Sequence, residues 1–285
     1  MSVSRHPVAL RVESHVGDAT RLLATVMALP LLDGIFVALL VAGALDSPVG
    51  MLETGLLIFG GSATLAVILA EMDERPRRLV GSILLIGGVI VPLAALQAAA
   101  APLIESALNL VIFQRFAGLV IIAVAAQTAS AKVGEYLPSP GVIIALGLVA
   151  SLQPDGLVIA FAVDPGLIVR AAITAGIGVG FALAVALAAP QLRGAVDLDR
   201  FRFGSSVALG VLALPILGVL ETEAPIALAV LLVSALLAYD PTADGAAADD
   251  ASSADGIAPD DPTEQVDAEA DASYSSVEEP RAPWL

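Results

Sequence analysis

Two short stretches set an acid in the middle of apolar sequence. Leu31-Leu32-Asp33-Gly34-Ile35-Phe36-Val37-Ala38 follows Pro30, and Gln153-Pro154-Asp155-Gly156-Leu157-Val158-Ile159-Ala160 carries its own proline. A charged side chain at mid-membrane depth costs about 3 to more than 10 kcal/mol, depending on the scale, and such residues usually face a partner or a watery path. Proline removes a backbone donor and glycine tolerates non-helical angles, so Pro30 and Pro154, with Gly34 and Gly156, weaken the helix beside each acid. The freed carbonyls, together with the carboxylates of Asp33 and Asp155, would make oxygen-lined sites like those at the broken helices of secondary transporters. Oxygen-only ligation suits Na⁺, Mg²⁺, Mn²⁺ or Ca²⁺ rather than a soft metal. A carboxyl removed from water without a cation favours its neutral form, so a proton is the natural competitor. Cation–proton exchange is therefore the chemistry to expect, with Asp33 and Asp155 as ligands or proton carriers. The plainer alternative is a backbone-bonded carboxyl that locks helix packing.

Other polar residues inside apolar sequence are fewer. Gln153 could add an amide oxygen to the second site, or make an interhelical hydrogen bond. Gln114 and Arg115 fall one to two turns inside an apolar segment. Arg115 is a candidate counter-charge to an aspartate, or a snorkelling interfacial residue. Arg170 reads as interfacial, and Gln127, Thr54, Thr64 and Thr174 read as packing residues. Gly60-Gly61, Gly87-Gly88 and Gly176-x-Gly178-x-Gly180 read as close helix contacts. The chain has no cysteine, and its two histidines, His6 and His15, both precede the apolar sequence. No Ser-His-Asp set, P-loop or HExxH motif occurs, so no enzyme and no resident cofactor is expected.

These residues must be held by membrane helices. Of 285 residues 58 % are hydrophobic, and the mean hydropathy is +0.90, well above a soluble domain's composition. The expected architecture is all-α: a polytopic bundle of about eight transmembrane helices, over 22–45, 50–70, 79–101, 107–129, 142–163, 167–189, 203–220 and 224–239, each near the ~20 residues that cross a bilayer. Residues 1–21 would be a cytoplasmic N-terminal segment rather than a cleaved signal, because the apolar run that follows is too long. Residues 22–129 would form a first four-helix repeat, 130–141 a cytoplasmic loop, 142–239 a second four-helix repeat, and 240–285 a disordered acidic cytoplasmic tail.

Charge sets the orientation. Arg5, Arg11, Arg21, Arg75, Arg77, Arg78, Lys132, Arg193, Arg200 and Arg202 fall before segment one or in every second loop, whereas the loops around Asp46, Glu105 and Glu221 carry no Lys or Arg. The positive-inside bias then puts both termini in the cytoplasm. The formal charge is −16, and residues 240–285 hold 13 acids against Arg281 alone. Such a tail cannot bury enough apolar surface to fold, and it repels nucleic acid. It could recruit a soluble partner, which gives the competing reading of a non-transporting membrane scaffold or sensor. The other expected partners are the lipid bilayer, a small cation or proton, and a second copy of the chain in a homo-oligomer.

The two acidic phrases also anchor an apparent duplication. Asp33-Gly34 matches Asp155-Gly156, Leu65–Leu69 matches Leu183–Leu187, and Gly81-Ser82 with Pro92 matches Gly204-Ser205 with Pro215. Four segments per half means that both halves enter the membrane in the same sense, a parallel repeat about the membrane normal.

Two resemblances follow from these residues. Ser4-Arg5-His6-Pro7-Val8-Ala9-Leu10, the Leu-Pro-Leu-Leu-Asp-Gly phrase and the acidic, lysine-poor surface resemble a family of halophilic, haloarchaeal multi-pass membrane proteins of unknown activity. More distantly, Asp155-Gly156-Leu157-Val158-Ile159-Ala160-Phe161-Ala162-Val163 with Asp164-Pro165 is similar to an acidic motif of TerC-type proteins in the LysE exporter superfamily, and Asp33-Gly34 is similar to the first such motif. That resemblance implies export of a metal ion or solute through intramembrane acids. Both motifs here carry Gly where those families carry Asn or Ser, and the repeat reads as four plus four rather than three plus three.

Overall fold

The computed structural model describes residues 17–72, 76–153, 164–220 and 224–240. Among them every element is a helix. The first apolar run forms α1 (Asp18–Leu32) and α2 (Ile35–Val41), bent by 41° at the two residues between them. The second forms α3 (Pro48–Thr54), which passes into a π-helical turn (Gly55–Phe59), and α4 (Ser62–Ala66), which passes into another (Val67–Glu71); this pair bends by 49° at Gly60-Gly61. Then come α5 (Pro76–Ser106), α6 (Leu110–Ala129), the short α7 (Ala131–Tyr136), α8 (Pro140–Ser151), α9 (Pro165–Leu192), α10 (Leu198–Ile216) and α11 (Ile226–Ala238).

Fewer of these cross a membrane by length and composition than the eight expected. Three helices are long and apolar enough, Arg77–Ser106, Leu110–Ala129 and Pro165–Leu192, and the number rises to five if each bent pair is one span. The difference has local causes. Among the described residues the fifth apolar run is helical from Pro140 to Ser151, with Ser139 and Leu152 leaving helical angles at each end, and residues 154–163 of that run lie outside those described. The eighth starts only after Pro225. At about 1.5 Å per residue, α8 and α11 reach about two-thirds of a hydrocarbon core. The seventh, α10, begins at Leu198 and takes Asp199, Arg200 and Arg202 into its first turns, which lowers its hydropathy.

Small residues let the helices approach closely. A Cβ at Gly55 would lie 2.6 Å from the Thr174 carbonyl oxygen, one at Gly178 2.3 Å from Phe59 Cβ, and one at Gly87 2.7 Å from Val179. The second bent pair and α5 therefore both pack tightly on α9. Gly60 meets Phe181 in the same way, whereas Gly88, Gly176 and Gly180 face open space. Phe36 and Phe59 join the two bent pairs edge to face, with ring centroids 5.1 Å apart.

The ends of the bundle are fixed by polar contacts. Thr20 donates to Ser82 at 3.2 Å, setting the start of α1 beside the start of α5. The Arg193 guanidinium donates to the Met72 carbonyl, so the end of α9 meets the same place. Leu108 and Leu152 form a two-residue β-bridge that clamps the start of α6 to the end of α8, and Val196 and Tyr239 clamp the start of α10 to the end of α11 in the same way. Gly118 packs on Leu217, just beyond α10, and Val111, Gln114 and Arg115 at the start of α6 share a cavity with Pro215–Gly218, so α6 and α10 are antiparallel. Arg21, Arg77, Arg78, Lys132, Arg193, Arg200 and Arg202 consequently gather at one end. At the other, Arg170 pairs with Asp46 at 2.8 Å and with Asp164 at 3.8 Å.

The packing does not follow the parallel four-plus-four pairing that the sequence landmarks suggest. That pairing matches α10 and α11 with α5 and α6. Among the described residues α10 and α11 lie side by side, whereas α5 and α6 have little or no contact.

Candidate functional site

Asp33 stands at the break in the first bent pair. α1 runs through Pro30 and ends at Leu32, so the break falls three residues beyond the proline. Gly34 takes φ +83°, a left-handed conformation that costs an L-residue with a Cβ roughly 1–2 kcal/mol. Asp33 still donates its N–H to the Leu29 carbonyl at 2.9 Å. Its Oδ1 accepts from the Ile35 N–H at 3.2 Å, which turns the carboxylate toward the start of α2.

Two helices close round this break. Gln97 on α5 donates its amide N–H to the Leu31 carbonyl at 2.7 Å. The other amide atom, Gln97 Oε1, is buried and has no hydrogen-bond partner. From α8, Ile144 comes to ordinary contact distance of Gly34, and Gly141 lies against the Asp33 carbonyl oxygen. The Leu108–Leu152 bridge and the contact of Gly147 with Phe116 set the register of α8 against α6. By that register α8 begins opposite about Ile121, roughly halfway along α6. Asp33 is thus half-buried near mid-height, beside the inner end of a short helix. The oxygens placed at the break are its own carboxylate, the Leu31 carbonyl held by Gln97 and the Asp33 carbonyl that faces Gly141. Among the described residues no three His, Cys, Asp or Glu side chains come together, so a cation here would be held by one carboxylate with carbonyl oxygens, a hard-cation set.

Of the second phrase only Gln153 is described. Pro154, Asp155 and Gly156 lie outside the described residues, as do the other residues of the TerC-like stretch up to Val163. The residues flanking them are both placed. Gln153 is exposed at the end of the bundle, where its N–H donates to the Ala107 carbonyl at 3.0 Å, and Asp164 sits at the same end with Arg170. Gln153 is therefore not beside Asp33.

Arg115 is not beside Asp33 either. It is exposed and lines a cavity of about 340 Å³ with Gln114, Ala42, Val111 and the residues Pro215–Gly218 that end α10. Among the described residues no ion pair involves it. Gln114 donates to the Ala42 carbonyl at 3.3 Å, tying α6 to the end of α2. Gln127 donates to the Pro138 carbonyl, and Thr64 and Thr174 donate to carbonyls of their own segments. Thr54 Oγ1 is buried without a partner.

One buried acid escapes the sequence pattern. Glu53 on α3 is only 8 % exposed, and its Oε1 accepts from the Leu228 N–H in the first turn of α11 at 3.3 Å. It stands near the start of an apolar run, where an acid reads as the end of a span. Gln97 was equally silent, an amide in the later part of a long apolar helix. A polar residue flanked on both sides by apolar turns is the signal that would have found either.

Residues 90–217, from the middle of α5 to the end of α10, match the model of a family of unknown function (DUF5794). No curated protein and no solved structure matches the chain.

Proposed function

We propose that this is a multi-pass membrane protein that moves a small cation in exchange for protons, with Asp33 as the residue that binds the cargo. The observation that carries the reading is the broken first span: the Asp33 carboxylate stands at the break near mid-height of the bundle, and Gln97, whose Oε1 is buried without a partner, holds the Leu31 carbonyl two residues before it. Breaks of this kind are where secondary transporters hold ions. A carboxylate kept there without a metal cage suits a proton or a hard cation such as Na⁺, Mg²⁺, Mn²⁺ or Ca²⁺.

The orientation belongs to the same proposal. The end that collects Arg21, Arg77, Arg78, Lys132, Arg193, Arg200 and Arg202 faces the cytoplasm by the positive-inside rule. With eight apolar runs crossing or entering the membrane, both termini and the acidic tail lie there. The likeness of Asp33-Gly34 and Asp155-Gly156 to TerC-type acidic motifs favours export as the direction. Flux in reconstituted vesicles tests the reading. Asp33→Asn abolishes exchange if Asp33 binds the cargo, and flux unchanged by that substitution refutes it.

A further inference from the structure

The contacts obey a symmetry different from the parallel one. α5 and α9 are antiparallel neighbours, because Gly87 meets Val179 while Arg193 reaches Met72. α6 and α10 are antiparallel neighbours as well. Exchanging α5 with α9 and α6 with α10 also exchanges α8 with α11, and the first bent pair with the second. The main contacts then find mates. The first bent pair packs on α5 and α6 as the second packs on α9 and α10, and α6 packs on α8 as α10 packs on α11. An operation that carries a helix onto its antiparallel neighbour is a twofold axis perpendicular to both, which lies in the membrane plane.

Sequence and burial keep the same register. Pro102 precedes Pro190 by 88 residues, and that offset also takes Ala107 to Ala195, Leu110 to Leu198 and Phe113 to Phe201. The interior faces coincide too: Ala94, Ala98 and Ala101 are buried on α5 just as Ala182, Ala186 and Ala189 are on α9. Asn109 and Asp197, again 88 apart, each cap the following helix by accepting the N–H three residues on. Both hairpins close with a β-bridge.

The axis takes Asp33's broken span to Glu53's broken span, and α8 to α11. Asp33 lies at the inner end of α8 and Glu53 at the inner end of α11, bonded to Leu228. Each half thus brings an acid of its own bent pair to the start of its own short helix. Glu53 also opens on a small cavity lined by Val211, Leu212, Pro215, Leu220, Ala224, Ile226 and Ala227, none of which is titratable or charged. Pro215 walls both this cavity and the larger one at Arg115, so the two cavities are one side chain apart.

We propose that the chain is an inverted-topology pair of four-segment halves, and that Glu53 is the second acidic residue of its transport path, the counterpart of Asp33. This rests on the transport reading of Asp33. Two halves of opposite topology can exchange conformations, so that a path open on one side closes as its mate opens on the other. The proton enters a carboxylate from water on one side and leaves to water on the opposite side, with no other bond made or broken.

The absence of cysteine gives a clean background for the test. A Cβ at Gly87 would stand 3.5 Å from Val179 Cβ, within the range for a disulfide. Gly87→Cys/Val179→Cys and its symmetry mate Val91→Cys/Ala175→Cys should both cross-link on oxidation. A mate pair that stays reduced while the first pair closes overturns the inverted duplication. For Glu53, the probes are Na⁺, Mg²⁺, Ca²⁺ and Mn²⁺ against a proton gradient in vesicles. Glu53→Gln keeps an oxygen to accept from Leu228, so it preserves the cap on α11 while removing the titratable group. The expected result is at least a tenfold loss of flux from a variant that remains monodisperse, with part of it regained in Glu53→Asp. If Asp33→Asn abolishes flux and Glu53→Gln leaves it within twofold of wild type, the Glu53 assignment fails and the transport reading stands. If the wild type moves none of the four ions, or Asp33→Asn is inert, both fail.

Discussion

Replacing Gly178 by alanine tests the packing on which the whole arrangement rests. A Cβ at that position would lie 2.3 Å from Phe59 Cβ and 3.0 Å from the Gly55 carbonyl oxygen. Ordinary contact needs more than about 3.4 Å, so α9 and the second bent pair must separate by roughly 1 Å. Phe59 cannot yield by rotating, because the clash is with its Cβ and its ring is held against Phe36. Forcing a methyl into a packed contact of this kind costs about 1–3 kcal/mol. Alanine itself returns about 0.5–1 kcal/mol of helix propensity over glycine, so the net loss is about 0–2.5 kcal/mol, and Gly178→Val with two further methyls exceeds it. Each kcal/mol lowers the melting temperature by about 2–4 °C in a domain of this size. Thermal unfolding in detergent reads the difference. Gly176→Ala and Gly180→Ala serve as internal controls, since nothing lies within 4 Å of a Cβ at either, and both should be neutral or stabilising. The reasoning is refuted if Gly178→Ala melts as high as those two controls.

Other substitutions probe the remaining features. Gly34→Ala should cost about 1–2 kcal/mol through its positive φ alone, because the nearest atoms, on Ile144, are at ordinary contact distance; a melting temperature equal to wild type would show that the break does not need a left-handed residue. Asp46→Asn removes the 2.8 Å pair with Arg170, and the partial exposure of both side chains limits the loss to about 1 kcal/mol or less. That loss should vanish in molar salt, and a salt-independent effect would mean that the contact is not acting through charge. Single cysteines at Ser130 and Asp240 should react with an impermeant maleimide from one face of the membrane, and cysteines at Asp46 and Asn109 from the other. Ser130 and Asn109 reacting from the same face would show that α6 does not cross.

Parts of this arrangement are legible in the sequence for physical reasons. Long apolar runs with no strand-like alternation can only be helices in a membrane, and all the described elements are. The scattered arginines reach one end because successive long helices reverse direction. The break at Asp33 is written in Gly34, the one residue type at ease with φ +83°. What stayed hidden is equally specific. An apolar run does not announce where its helix begins or ends, so the end of α8 at Ser151 and the start of α11 after Pro225 are not visible in the sequence. Gly81-Ser82 and Gly204-Ser205 align along the sequence, but a linear match does not say which helices pack together. The proposed 88-residue register emerges only once burial and helix direction are known, since an inverted repeat demands opposite travel of α5 and α9. Glu53 was passed over because a lone acid near the start of an apolar run looks like an interfacial residue until the first turn of α11 is placed against it.

The most direct measurement is ion flux into proteoliposomes at high salt, with a proton gradient as the driving force, comparing wild type with Asp33→Asn. The account predicts uptake of at least one of Na⁺, Mg²⁺, Ca²⁺ or Mn²⁺ coupled to proton movement in the wild type, and loss of both in a folded Asp33→Asn protein. Equal flux in the two proteins would contradict it.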